Sequence, residues 1–409
     1  MSKIEAVPAS RKSNRPQIAI AGAGIGGLAL ALALHKYGFA PVLFEKKSAE
    51  QIRTEGVFLT LAPNGVNALR ALGLADAVVA EGLLTRGLAM FNERGRQLGL
   101  MDYGTHATRF GAPSVTIRRG ALGGVLLDAV AAAGIDLRCG VGIEEIEHGS
   151  DGVTVNSGRS ERFDALIGAD GLRSLVRRQL FPELPQPRYS GLIGTGGVTR
   201  VDGITPTNGL MNMTFGKKAF FGYLADPGQP VMWFNTYPAP ECDTGPITDP
   251  RGYARFIEDL HRDDPLDNAR IMAGVDSIDR NYPIYDMPEL EHWSKGRVLL
   301  MGDAAHAVAP HSGQGASMAI EDGLVLASSL DADNAIEAAY ARFFRLRHER
   351  TQTAIRIGRI AGSQKHAQSW LQLRIRDLIL PLVMPVGVKA QERIFHFRSD
   401  RTPLAQPVQ

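Results

Sequence analysis

The run Gly22-Ala23-Gly24-Ile25-Gly26-Gly27 constrains this chain more than any other part of it. Residues 17–21 before it read as a strand, and residues 25–37 read as a helix that Gly38 stops. Glycine permits the tight turn and lets a pyrophosphate approach the backbone amides at the helix start. A second strand at 41–45 completes a βαβ opening and ends on Glu45, where an acid accepts hydrogen bonds from a ribose hydroxyl. Glycine turns also serve plain packing. Strand, helix and acid together favour a dinucleotide, with Gly22, Gly24, Gly26, Gly27, Glu45 and the adjoining Lys46 as candidate ligands.

The uncharged run 18–34 follows Lys12 and Arg15 and so imitates a signal peptide. It is too short to span a membrane, and its glycine turn fits a buried strand entering a helix. The first residues, 1–16, are expected to be a disordered tail. With 409 residues and 44% hydrophobic content, the chain suits two interleaved domains with a helical extension. A net charge of +2, from 45 basic and 43 acidic residues without long same-sign runs, argues against a nucleic-acid binder. Cys139 and Cys242 form no CxxC pattern, so neither a disulfide framework nor a zinc site is indicated, and a cytoplasmic location is expected. His306 and His311 do not share a helix face and no carboxylate–histidine pattern accompanies them, so no metal is expected.

Further along, 121–133 is a helical pattern, and 135–137, 143–146, 153–155 and 165–168 suggest short strands. From about Pro182 apolar and polar residues alternate, at 209–215, 219–224 and 231–237, which reads as an antiparallel sheet. The α/β texture returns at 297–301, and the chain is largely helical from 334. The expected fold class is therefore α/β, with a Rossmann-like nucleotide-binding domain interrupted by an antiparallel sheet. The divisions are 17–182 and 286–333 for the nucleotide domain, 183–285 for the sheet and 334–409 for the C-terminal helices. Residues 371–390 are apolar, but Arg374, Arg376, Asp377, Pro381 and Pro385 argue against an integral membrane segment. Packing across the nucleotide domain is the expected role, with a membrane-surface or partner contact as the alternative.

Two more motifs complete the reading. One runs from Asp164 through Gly168, Asp170 and Gly171 to Arg173, Ser174 and Arg177. The other is Arg297 to Gly302-Asp303-Ala304-Ala305-His306, followed by Pro310-His311-Ser312-Gly313-Gln314-Gly315. In order and spacing the three motifs resemble the class A flavoprotein monooxygenases, the family of para-hydroxybenzoate and salicylate hydroxylases. The resemblance covers residues 17 to about 350. It implies a non-covalently bound FAD and a nicotinamide, NADPH or NADH, that visits and leaves.

By this resemblance Asp303, after Gly302, accepts from the ribityl hydroxyls of FAD, and Pro310, Gly313, Gln314, Gly315 and Ala316 form the loop under the isoalloxazine. The helix starting near Ala316 aims its positive end at the flavin. Asp170, Ser174 and Arg177 correspond to the Asp-Gly motif said to touch FAD and the nicotinamide. Arg119 matches an arginine near the FAD phosphates and Arg53 one on the flavin side. The implied reaction hydroxylates a small phenolic or N-heteroaromatic molecule with NAD(P)H and dioxygen, through a flavin C4a-hydroperoxide, in a monomer or homodimer. Met211, Met213, Phe221, Tyr223 and Trp233, with Phe234, are candidate substrate contacts on the central sheet. His311 and Tyr223 are the candidate catalytic side chains. Rival readings are a related reductase or halogenase and a flavin-binding sensor without turnover. Trp233, Trp293 and Trp370 sit in no Trp-x-Trp-x-x-Ile-Pro motif of the halogenases.

Overall fold

The computed structural model describes residues 15–242, 246–366 and 369–399. The first part of the chain contains β1 (Ile18–Ala21), α1 (Ile25–Lys36), β2 (Val42–Glu45), α2 (Ala49–Thr54), β3 (Phe58–Leu61), β4 (Gly87–Asn92) and β5 (Gln97–Asp102). Next come α3 (Arg119–Ala132), β6 (Asp136–Cys139), β7 (Ala165–Gly168), α4 (Leu175–Leu180), β8 (Arg188–Thr199), β9 (Leu210–Phe215), β10 (Phe220–Leu224) and β11 (Val231–Pro238). The last part carries α5 (Pro250–His261), α6 (Asn268–Ala273), β12 (Tyr282–Asp286), β13 (Val298–Leu300), α7 (Gly315–Ala332), α8 (Ile336–Ser363) and α9 (Trp370–Phe395).

One sheet has the order β13-β7-β1-β2-β6, all parallel, with Ser294–Lys295 added antiparallel beyond β13. Ile18, Ala19 and Ile20 of β1 are fully buried because helices cover both faces of such a sheet. The uncharged run 18–34 is thus core strand and core helix. Helix α1 is buried nearly all round, and Gly323 of α7 crosses it so closely that a Cβ there would lie 2.8 Å from Leu30 N. Small residues at that crossing bring α7 onto the glycine turn.

The second sheet, β12-β8-β11-β10-β9-β4-β5, is antiparallel except between β9 and β4. The antiparallel sheet expected from 183–285 therefore also takes in β4 and β5. Helices α5 and α6 cover one of its faces, burying Ile257, Ile271 and Met272 there.

Of the tail expected at 1–16, residues 1–14 lie outside the described residues. Arg15 is anchored, ion-paired with Asp331 and 4.5 Å over the Phe39 ring. Helix α9 starts at a capping box between Ser369 and Gln372 and runs through Pro381 and Pro385. Its inner side carries Arg376 and Asp377, bonded to Glu93 and Asn92, while Leu371, Leu378, Leu382 and Val386 are exposed. Among the described residues no helix is long and apolar enough to cross a membrane.

Candidate active site

The three glycine-bearing motifs converge. A Cβ at Gly22 (φ +97°) would lie 2.6 Å from Ala169 O, and one at Gly27 would lie 2.0 Å from Gly22 O. Ala319 of α7 stands 3.1 Å from the Cβ position of Gly26 and 3.6 Å from that of Gly302. Close packing demands glycine at Gly22, Gly26 and Gly27, and a left-handed backbone (φ +57°) favours it at Gly302.

Gly24 and Gly315 differ. Nothing lies within 4 Å of a Cβ built at either, and Gly24 has an ordinary φ of −70°. Neither conformation nor packing asks for glycine there, whereas room for a bound group does. Gly313 (φ +62°) borders the same open space between the short 3-10 turn Pro310–Ser312 and α7. Pro310 and Gly313 are exposed, Gly315 and Ala316 partly so.

The polar groups around this cleft fit FAD. No side chain caps the first turn of α1 or α7, so amides at both helix starts remain for a phosphate or flavin oxygen. Asp303 opens toward the cleft, is otherwise enclosed by protein, and accepts no hydrogen bond from the described residues. That enclosure raises its carboxyl above the usual carboxylate range, against the pull of His306 and Arg119. Neutral ribityl hydroxyls suit such an acceptor. Arg119 is exposed at the start of α3, lies across Gly56, and bonds to no carboxylate among the described residues.

Other expected ligands have structural partners. Glu45 Oε2 accepts from Ala23 N at 2.8 Å and its Oε1 from Lys47 N at 2.9 Å, so the carboxylate clamps the glycine turn and keeps one lone pair per oxygen. Lys46 is exposed beside it. Arg53 sits in an exposed ion pair with Asp128 of α3 at 2.5 Å, which corrects its expected place at the flavin. Asp170 Oδ2 accepts from Leu175 N at 2.7 Å and from Val176 N at 3.2 Å, while its buried Oδ1 has no partner among the described residues. Ser174 caps α4, and buried Arg177 donates to Ala304 O at 2.7 Å and Leu172 O at 2.6 Å. Arg177 thus joins the Asp-Gly and Gly-Asp turns to each other while Ser174 holds the start of α4, a correction to their expected contact with cofactor.

Under the cleft lies a charged cluster that pattern reading did not expose. Asp322 Oδ2 is 2.6 Å from His306 Nε2 and accepts from Gly302 N at 3.0 Å, while Arg347 reaches Asp322 at 2.7 Å and Glu321 at 2.6 Å. Arg350 and Asn64 both bond Glu321 at 2.7 Å, and Asn64 also donates to Gln314 at 3.2 Å. Burial opposes ionisation of Glu321, yet Arg350 and Arg347 overcome it and hold the carboxyl below the usual range. For Asp322, burial is likewise overcome by His306 and Arg347. The signal was a Glu-Asp pair inside the otherwise apolar stretch of α7.

One face of the second sheet meets the segment of Val57 and Phe58. Cross-strand pairing sets Met213, Gly222, Phe234 and Gly196 in one row, with Met211 and Phe220 two residues along on the same face. A Cβ at Gly196 would meet Val57 at 3.0 Å, and the Phe58 ring stands 6.0 Å from Phe234. Phe221, Tyr223 and Trp233 point the other way, into the core with α5 and α6. Their expected role as substrate contacts, and that of Tyr223 in catalysis, is corrected on this ground. Phe58 and Phe220 stand beside Phe234 on the opposite face, Phe220 buried with Phe215 and Leu98. His311 stands at the edge of this space, its Nδ1 3.0 Å from Nζ of Lys365, whose ammonium lies 3.7 Å over Phe220.

Comparison with known proteins agrees with this architecture. The FAD binding domain family model matches residues 15–359. Aurachin C monooxygenase/isomerase of Stigmatella aurantiaca is 34% identical over 391 residues, 92% of this chain and 96% of that protein. Phenazine 1,6-dicarboxylic acid hydroxylase PhzS of Lysobacter antibioticus is 31% identical, covering 87% and 92%. The structure of Klebsiella pneumoniae HpxO with FAD and uric acid matches the fold with a TM-score of 0.80 at 22% identity, over 94% of this chain and 98% of that one. The chain belongs to the FAD binding domain family, as a flavin-dependent monooxygenase of the aromatic-hydroxylase group with FAD as its cofactor.

Proposed function

We propose that the protein hydroxylates a small phenolic or N-heteroaromatic molecule, using NAD(P)H and dioxygen. The carrying observation is the wall formed by Phe58, Phe234 and Phe220, with successive ring centroids 6.0 and 5.8 Å apart, which Lys365 links to His311 of the Pro310–Ser312 turn. Gly222 and Gly196 let the Phe234 ring lie flat on the sheet with Val57 beside it, which presents aromatic surface for a flat ring to lie against. Relatives named for phenazine 1,6-dicarboxylic acid and 6-hydroxynicotinate support an aromatic substrate.

FAD, once reduced by NAD(P)H, supplies the activation of dioxygen from which one oxygen atom passes to the substrate. The chain's own residues bind and exclude. Gly24, Gly313 and Gly315 leave space for the cofactor, Asp303 receives its hydroxyls, and the start of α7 favours negative charge at the flavin end. The phenylalanine wall orients the ring and keeps water out, which decides whether oxygen reaches product or is lost as hydrogen peroxide.

The test is a screen of phenols and N-heteroarenes for faster NAD(P)H oxidation, with product mass determined. A product one oxygen atom heavier supports the reading. Acceleration with no oxygenated product would favour the reductase alternative.

A further inference from the structure

Lys365 lies in the short turn Gln364–His366 between α8 and α9, at the edge of the aromatic wall. Its Nζ is 3.0 Å from His311 Nδ1, 3.7 Å from the centroid of Phe220 and 5.8 Å from that of Phe234. Among the described residues no carboxylate pairs with it. The charged side chains lining the recess beside it, Lys218 and Arg376, are both cations, and Arg376 is held by Glu93 and Asp377. Ring faces and an imidazole return only part of the hydration an ammonium gives up. Loss of water pulls the Lys365 pKa down to about 7, so amine and ammonium are both accessible near neutrality.

We propose that Lys365, with His311 beside it, forms an oxyanion-receiving corner of the substrate pocket, and that the substrate is an aromatic molecule with an ionisable oxygen. This rests on the aromatic-hydroxylase reading above. A cation kept among phenylalanines without an acid is completed by an anion that arrives and leaves. A carboxylate substituent pairs directly with the ammonium form. A ring hydroxyl instead gives its proton to the amine form: the O–H bond breaks, its electron pair stays on oxygen, and a new N–H bond forms at Nζ. No electrons leave the ring, and the resulting ring oxyanion makes the ring more electron-rich toward an electrophile.

The FAD-loaded protein is titrated with para-nitrophenol, benzoate and para-nitroanisole, following the flavin absorption band and, for the phenol, its own ionisation. Wild type is compared with Lys365→Met and Lys365→Arg. At least one anionic probe is expected to bind Lys365→Met about tenfold or more weakly, while para-nitroanisole binds both alike. A bound nitrophenolate identifies the ring oxygen as the source of the anion, and Lys365-dependent binding of benzoate alone identifies a carboxylate. Lys365→Arg is expected to keep benzoate but not to take the phenol proton, because a guanidinium stays protonated. Equal anion binding by wild type and Lys365→Met overturns the proposal. If only para-nitroanisole perturbs the wild-type flavin, the oxyanion corner falls and the aromatic reading stands; if no probe does, the aromatic reading itself falls. FAD content and melting temperature verify each variant, with Lys365→Gln replacing Lys365→Met should the latter fail to fold.

Discussion

His306 Nε2 stands 2.6 Å from Oδ2 of Asp322, and that same oxygen receives the Gly302 amide at 3.0 Å. One buried carboxylate on α7 therefore fixes the turn that presents Asp303 to the cofactor cleft.

Arg347, fully buried between Asp322 and Glu321, is the cation on which this arrangement depends. Removing one partner from a buried ionic cluster leaves uncompensated charge, so Arg347→Met is expected to cost about 3–5 kcal/mol of stability. Urea denaturation measures it. Adding Asp322→Asn and Glu321→Gln should recover part of the loss, and a cost below about 1 kcal/mol would show the cluster to be solvated instead.

Gly24→Val separates cofactor binding from folding. The backbone conformation at Gly24 admits any residue and its Cβ meets nothing, so the variant should fold with a melting temperature near that of the FAD-free wild type. Its branched side chain would fill the space where a pyrophosphate meets the amides, and the purified protein should be colourless. Full flavin absorbance in this variant would contradict the placement of the cofactor.

His106 predicts an acid-sensitive region. The ring is 2% exposed, stacks 4.3 Å from Tyr103, and bonds Ser114 Oγ at 2.9 Å. Burial, with repulsion from Arg109, lowers its pKa to about 4. The unfolded value is about 6.5, so between these two the unfolded chain binds a proton that the native state refuses. Stability from this group is complete above pH about 6.5 and falls as pH drops toward about 4, by an amount on the order of 3 kcal/mol. His106→Gln should flatten that part of the stability profile, measured by urea midpoints across the window. An unchanged slope would assign the acid sensitivity to other groups.

The cofactor half of the site was legible in sequence because its constraints are local. A turn that needs Gly22 and Gly27 announces itself by spacing, and Glu45 follows at the end of the next strand. The substrate half depends on tertiary covering. Alternation tells that Phe221 and Tyr223 share a face with each other and not with Phe220, but which face α5 and α6 cover and which meets the segment of β3 follows only from tertiary packing. Arg53 was misplaced because its partner, Asp128, lies on another helix. The Glu321–Asp322–Arg347 cluster was missed because its members are brought together by the packing of α8 on α7, and a charge on a helix reads as solvated until its neighbours are known.

The two faces of β10 and β11 give the last prediction. Tyr223 is 1% exposed, its hydroxyl accepts from Asn212 Nδ2 at 3.0 Å, and its ring packs with Phe221, 6.3 Å away, over α5 and α6. Tyr223→Ala should leave a cavity and cost about 3–5 kcal/mol, with little change in the ratio of hydroxylated product to NAD(P)H consumed. Phe234 lies on the opposite face, its ring over Gly222, where a Cβ would come within 2.3 Å of it, and across from Phe58. It is half-buried, so Phe234→Ala should cost less stability while loosening the substrate ring and admitting water to the cleft. The expected result is a several-fold fall in the product-to-NAD(P)H ratio, a matching rise in hydrogen peroxide, and retained FAD. Measuring both variants for melting temperature and coupling on one accepted substrate decides the matter. A loss of coupling in Tyr223→Ala with none in Phe234→Ala would reverse the assignment of faces.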